Sequence, residues 1–242
     1  MSALPRADAF ETGNFTTRSD GAQNLVDRAL SHVAGKHNPS LLDLGCGSGD
    51  VAAGAAAARE DLTSVALDIS AKNVEEARKT AERYGVDQRV RAICEDFLSW
   101  GDHGEYDVIV SDSVLHILSC ADATLAERLA TALKPGGVLI ASLPIASAGN
   151  QLRILSRRAW RALPAGADAL ALALARRLHP DFSRAMLEDR IPYLRFIPQR
   201  MYGGKMKCAL AQCGLEPVAV ERWDSPSLLK LEHRLIVWRR PD

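Results

Sequence analysis

The chain has 242 residues, 47% hydrophobic and 25% charged, with 30 basic and 30 acidic side chains that cancel to no net charge. That profile suits one α/β domain large enough to bury its own core, and it sets up no overall field favouring nucleic acid or a membrane surface. Cys46, Cys94, Cys120, Cys208 and Cys213 form no CxxC pair, which argues against a disulfide framework or a zinc site.

In chain order, residues 1–39 read as an N-terminal arm ending in an amphipathic helix near 20–34. Its start, MSALPRADAF, lacks an apolar signal core, and the longest apolar run, Ala169 to Ala175, is too short to span a bilayer. A cytoplasmic protein without a transmembrane segment is therefore expected. From residue 40 short β-like runs alternate with helical runs, the mark of a parallel sheet with crossover helices. Strands are predicted at 41–45, 63–68, 89–94, 106–111 and 137–143, with helices near 49–59, 70–84 and 122–133. The first strands are apolar throughout, as expected where helices cover both faces. Pro135-Gly136-Gly137 reads as the stop of the fourth helix and the turn into the fifth strand.

An insertion of about 150–198 follows, with helical segments broken at Pro164, Pro180, Pro192 and Pro198. A further helix near 200–213 ends at Cys213-Gly214, and strands are predicted near 215–222 and 232–239. The short connection between them cannot form a parallel crossover, so the two make an antiparallel hairpin. The expected fold is α/β. A doubly wound, mostly parallel seven-stranded sheet with an antiparallel C-terminal hairpin strand fills 40–242, and the insertion forms a helical cap.

The segment Leu41-Leu42-Asp43-Leu44-Gly45-Cys46-Gly47-Ser48-Gly49 leads from a strand into a helix. Ligands of such sheets bind beyond the carboxyl ends of the strands, where the winding reverses, and glycine lets the backbone approach them closely. Asp50 stands where a dinucleotide fold has its third glycine, which disfavours NAD, and no Lys-Ser/Thr step follows to cradle phosphates. Asp68, at the end of the next strand, is placed either to accept hydrogen bonds from a ribose diol or to cap the helix beginning near Ser70. The combination points to a nucleoside without phosphates.

On these residues the sequence resembles the class I, Rossmann-like S-adenosylmethionine-dependent methyltransferases. LLDLGCGSG is similar to the family's first motif, with Asp43 at its acidic position and Gly45, Cys46, Gly47 and Gly49 in the loop. VALDIS matches the second, with Asp68 the ribose acid and Ile69 the apolar residue against adenine. Glu95-Asp96-Phe97 resembles the acidic motif after the third strand, where Asp96 would meet the adenine amine. YDVIVSDSVLHIL, containing Ser111, and LKPGGVLIAS match the motifs of the fourth and fifth strands. The resemblance implies S-adenosylmethionine as cofactor, a sulfonium cation whose site needs carboxylates and backbone groups. Arg18 is a candidate clamp on its methionine carboxylate, or a simple surface arginine.

For the transfer itself, His116 is the candidate catalytic base, with lining of the pocket as its competing role. His103 and His179 read as solvent residues, while Tyr193 and Arg195 are weaker acceptor contacts. Methyltransferases of base amines resemble one another in Asn or Asp followed by Pro-Pro and an aromatic; Ser111-Asp112-Ser113-Val114 departs from that, so nucleic acid is not the expected partner. Between 151 and 200 stand ten arginines, no lysine and four acids, a local excess of +6 in a neutral chain. Arginine suits carboxylates and phosphates. The expectation is a small-molecule acceptor, anionic or lipid-linked, with O-methylation favoured if His116 is the base and N- or carboxyl-transfer as alternatives. Peripheral membrane contact through ALPAGADALALALARRL stays open, as does oligomeric state. A catalytically silent S-adenosylmethionine-binding module is the competing class.

Overall fold

The computed structural model describes residues 19–101, 106–164, 166–178, 194–223 and 231–242, and positions 180, 184, 187 and 188 between them. Arg18, His103, His179 and Tyr193 lie outside these residues. Seven strands, β1 (Ser40–Leu44), β2 (Thr63–Asp68), β3 (Val90–Cys94), β4 (Tyr106–Asp112), β5 (Leu133–Pro144), β6 (Glu216–Arg222) and β7 (His233–Arg239), form one sheet in the order β3-β2-β1-β4-β5-β7-β6. Only β7 runs against its neighbours, pairing antiparallel with both β5 and β6. The expected doubly wound sheet with an antiparallel hairpin strand is present.

The helices are α1 (Ser19–Val33), α2 (Asp50–Ala58), α3 (Ala71–Arg83), α4 (Asp122–Ala132), α5 (Ala148–Arg161), α6 (Gly166–Leu178) and α7 (Gly204–Gln212). Strand side chains alternate between faces, so adjacent apolar residues feed two separate cores. Leu42, Ile109 and Leu139 pack with Leu125 and Leu129 of α4 and Met206 and Leu210 of α7. Leu41, Val108, Val110, Val138 and Ile140 pack on the opposite face with Leu25, Val26 and Ala29 of α1 and the alanines of α2. This is why the strands read as continuous apolar runs.

Two differences from the sequence reading have physical causes. Strand β5 begins at Leu133 and runs through Pro135-Gly136-Gly137 rather than starting after it. The pairing with β4 shifts register between Tyr106 and Val108, and Gly136 takes φ +69°, so the glycines absorb an irregularity inside the strand. A Cβ on Gly137 would come within 2.7 Å of the Lys134 carbonyl oxygen. Helix α7 is also shorter than expected, because Gln199, Arg200 and Tyr202 are engaged with the ends of the sheet: Gln199 N–H donates to His116 O at 2.8 Å and Tyr202 N–H to Pro144 O at 2.7 Å.

The end of the sheet opposite the glycine loop is closed by Asp107. Its carboxylate accepts from Lys36 Nζ and Lys134 Nζ, both at 2.8 Å, and from Ser40 N–H at 2.9 Å. Burial alone would raise its pKa, but the bonds from Lys134, Lys36 and Ser40 outweigh burial and hold the carboxyl well below the usual carboxylate range. A carboxyl depressed in the folded state adds stability above its ordinary pKa of about 4, and that stability drains away as pH falls below it. Asp107→Asn is expected to cost about 2–3 kcal/mol at neutral pH. Urea unfolding at pH 7 and pH 3 checks this: the gap between wild type and variant should narrow at the lower pH.

Candidate functional site: a carboxylate-lined cleft at the sheet's switch point

β1 and β4 lie side by side at the centre of the sheet, where the winding reverses, and the loop leaving β1 opens there. Its three glycines all have left-handed backbones, with φ of +73° at Gly45, +54° at Gly47 and +74° at Gly49. Two of them answer to close packing. A Cβ on Gly45 would sit 2.2 Å from Val114 Cγ2, and one on Gly49 would sit 2.7 Å from Ala77 Cβ. Gly47 is different: a Cβ there meets nothing within 4 Å. No atom of the described residues fills the space above it.

The loop is tied to β2, since Gly45 and Cys46 both donate N–H groups to Leu67 O, at 2.8 and 3.1 Å. Asp68 continues the tie. One oxygen accepts from Gly47 N–H at 3.0 Å and from Asn73 Nδ2 at 3.2 Å, and the other accepts from Ser70 N–H at 2.9 Å. The helix N-cap itself is Ser70, whose hydroxyl accepts from Asn73 N–H. Asp43 is buried beneath the loop and accepts from Ala52 N–H at 3.2 Å, satisfying one of the unpaired amides at the start of α2. Asp43 and Asp68 thus hold the elbow in shape while presenting negative charge to it.

The cleft is lined by Ala22, Asp43, Gly45, Cys46, Ser48, Asp50, Val51 and Asp112. Burial raises Asp43's pKa to about 7; the Ala52 hydrogen bond opposes this, and Asp68, Asp112 and Asp50 push further upward. Burial, with Asp43 and Asp68, likewise pushes the Cys46 thiol up, so it stays neutral. Carboxylates packed this closely repel one another, and an organic cation in the cleft would relieve that repulsion. Open room over Gly47 and a surround of carboxylates without a phosphate cradle fit the sulfonium nucleoside implied by the sequence.

The remaining predicted residues fall into distinct places. Ile69 stands exposed beside the cleft. Asp96 accepts from Leu98 N–H at 3.0 Å and caps the turn that follows β3. Phe97 is 3% exposed, its ring packed in the core beneath Arg128, so only its backbone is available to a ligand. Ser111 is fully buried and donates to Leu44 O at 3.1 Å, stitching β4 to β1. The cleft residue from that strand is its neighbour Asp112, which sequence reasoning quoted but did not choose. Asp112 Oδ1 accepts from the Ser142 hydroxyl, from Ser113 Oγ at 3.2 Å and from Trp223 Nε1 at 3.2 Å. Ser113 takes φ +60°, a conformation rare for a non-glycine residue, at the same strand end. Period-two alternation along β4 was the available signal, because it sends adjacent side chains to opposite sides.

His116 lies next along the sheet but not in the open cleft. It is 6% exposed, edge-on to Phe196 and His233 with ring centroids 5.6 and 5.5 Å away, and its Nδ1 has no hydrogen-bond partner. Burial, aided by His233, Arg157 and Arg200, lowers its pKa to about 3. Arg195 does not face an acceptor: its guanidinium binds Asp168 at 3.0 Å and several backbone carbonyls of the α5–α6 turn.

Comparison with known proteins agrees with this geometry. Residues 41–137 match the family model described as a methyltransferase domain. The ribosomal protein L11 methyltransferase of Dechloromonas aromatica is 41% identical over 136 residues, 55% of this chain and 40% of that protein. The trans-aconitate 2-methyltransferase of Methylobacterium radiotolerans is 34% identical over 147 residues, 57% of this chain and 52% of that one. The chain thus spans about half or less of these curated relatives. Magnesium protoporphyrin IX methyltransferase from Synechocystis, solved with bound S-adenosylhomocysteine, shares the fold with a TM-score of 0.56 at 18% identity, covering 94% of this chain and 88% of that one. Residues 41–137 thus match a methyltransferase domain, and solved neighbours of the same fold were crystallised with S-adenosylmethionine or S-adenosylhomocysteine.

Two measurements check the site. Gly45→Ala adds a left-handed alanine, about 1–3 kcal/mol of strain, as well as the Val114 clash, and should lower both melting temperature and S-adenosylhomocysteine affinity. Gly47→Ala carries the same left-handed strain but meets no atom of the described residues, so it should cost less stability than Gly45→Ala while losing affinity beyond what that strain accounts for. A cation favours ionised Asp43, so affinity for the sulfonium cofactor should rise relative to its uncharged thioether product as pH passes from 6 to 8. The expected rise is about five- to tenfold; calorimetry at both pH values showing a constant ratio would refute it.

Proposed function

We propose that the protein transfers a methyl group from S-adenosylmethionine to a small anionic acceptor, and that a carboxylate oxygen is the atom methylated. The observation that supports this most is the inward face of α5. Arg153 and Arg157 lie one turn apart, half-buried on the side of buried Ile154, whereas Arg158 and Arg161 are exposed. Arg157 donates to Phe196 O at 3.1 Å, and burial together with Arg153 lowers its pKa. Arg157 contributes to the positive field at His116, and arginines on this face have the chemistry that receives a planar carboxylate.

When bound, the cofactor supplies an electrophilic methyl group on sulfur. Asp43, Asp68, Asp50 and Asp112 provide the negative surround for it, with the Gly45–Gly49 loop shaping the floor. Arg153 and Arg157 orient the acceptor, and positioning of this kind is worth up to about 7–11 kcal/mol for aligned reactants. A carboxylate carries no proton to remove, so the chemistry asks for no base. That matches His116, which at a pKa of about 3 is neutral and weakly basic at physiological pH. The reading thus moves away from alcohol O-methylation by a His116 base and towards His116 as a wall of the pocket. The relative named for trans-aconitate, a small polycarboxylate, lends support. The L11 relative is named for a protein acceptor.

Incubation with methyl-labelled cofactor and a panel of small carboxylic acids tests this. A carboxyl ester releases its label as methanol in mild alkali, whereas an ether or methylamine keeps it. Arg153→Ala and Arg157→Ala should each raise KM for the acceptor about 10–100-fold, the loss expected of a charged hydrogen bond, with cofactor affinity unchanged. His116→Gln should keep activity within about tenfold; a base would lose on the order of 10²–10⁴-fold.

A further inference from the structure

The outward face of the same cap gathers most of the exposed large hydrophobic side chains among the described residues. Six of the large hydrophobic side chains most open to solvent, Leu152, Leu155, Leu163, Leu170, Leu174 and Leu178, fall between 152 and 178, and each is 45–71% exposed. Leu170, Leu174 and Leu178 recur every fourth residue and form one stripe along α6, a helix of 13 residues and about 20 Å with no buried side chain. Leu152 and Leu155 lie on the solvent side of α5. Isolated exposed leucines are ordinary on a protein surface, but a run of them marks a contact surface.

The charges around the stripe have one sign. Arg158, Arg161, Arg176 and Arg177 are exposed, and the whole stretch 148–178 contains a single acid, Asp168. That acid is already spent inside the hairpin, accepting from Trp160 Nε1 at 3.0 Å and from Arg195 Nε at 3.0 Å. It ties α5 to α6 and leaves the outer surface cationic. Leucines flanked by arginines, on a helix with no fully buried side chain and an exposed leucine stripe, have the chemistry of a helix lying in the plane of an anionic bilayer.

We propose that the α5–α6 hairpin docks this protein onto an anionic lipid surface, with Leu170, Leu174 and Leu178 entering the acyl boundary and Arg158, Arg161, Arg176 and Arg177 meeting the headgroups. Among the described residues no helix is long and apolar enough to cross a membrane, so the contact is peripheral. It places the inward arginines of α5 just behind the lipid surface. The docking stands on exposure and charge and does not depend on the acceptor proposed above.

Co-sedimentation of the full chain with vesicles tests it, comparing phosphatidylcholine alone with phosphatidylcholine containing phosphatidylglycerol. Binding is expected only to the anionic vesicles and should weaken with salt. Arg176→Gln with Arg177→Gln should weaken it roughly 25-fold, about fivefold per arginine. Leu170→Gln with Leu174→Gln should weaken it by about tenfold per leucine. All four positions are exposed, so melting temperature and S-adenosylhomocysteine affinity should not change. Wild-type protein that ignores anionic vesicles overturns the proposal, as does binding insensitive to both double variants. Light scattering supplies another negative outcome: if the leucine pair instead dissolves a dimer while leaving sedimentation unaltered, the face is covered by a second copy of the chain.

Discussion

The structure turns on the hydrogen bonds that fasten the glycine loop to the second strand. Two amides, those of Gly45 and Cys46, converge on the Leu67 carbonyl, and the next free amide, Gly47 N–H, is taken by the Asp68 carboxylate. This fixes three left-handed glycines at alternate positions, 45, 47 and 49, at the tip of β1. It also sets where α2 begins, and with it the depth of the cleft against β4. Val114 and Ala77 then close in on Gly45 and Gly49 so tightly that no side chain fits.

Asp43, Asp50, Asp68 and Asp112 are gathered around that elbow. Main-chain amides donate to Asp43 and Asp68, Ser48 reaches Asp50, and Ser113, Ser142 and Trp223 reach Asp112. Neutral donors of this kind fix a carboxylate in place without cancelling its charge, and a cleft lined by carboxylates favours a cation. Asp107, at the other end of the same sheet, shows the contrast: two lysines bind it, and it is purely structural. The contrast in counter-charge separates the carboxylates lining the cleft from the one that cross-links the far end of the sheet.

The cap follows the same logic with opposite sign. Its ten arginines looked alike as a composition, but the helices sort them by face. Arg153 and Arg157 lie half-buried on the inward face of α5, Arg195 and Arg200 serve as internal cross-links, and Arg158, Arg161, Arg176, Arg177 and Arg184 meet solvent. Arg200 alone joins Asp122 at 2.9 Å, the Leu115 carbonyl and the Cys120 carbonyl at 2.7 Å, fixing the segment after β4.

The strands themselves, the antiparallel β7 and the glycine elbow were legible in the amino-acid sequence, because each rests on local rules. Those rules are backbone freedom at glycine, the minimum length of a crossover, and apolar runs where both faces are covered. What only the tertiary structure decided concerns which way a side chain points and what surrounds it. Ser111 and Asp112 are adjacent in sequence, yet one is sealed in the sheet and the other lines the cleft. Phe97 follows an acidic motif but its ring belongs to the core. His116 stands at a strand end where a base would be expected, and the cap arginines and Phe196 packed over it remove its water and with it its basicity. Solvation and the field of distant charges are properties of the assembled molecule, and no spacing of residues along the chain encodes them directly.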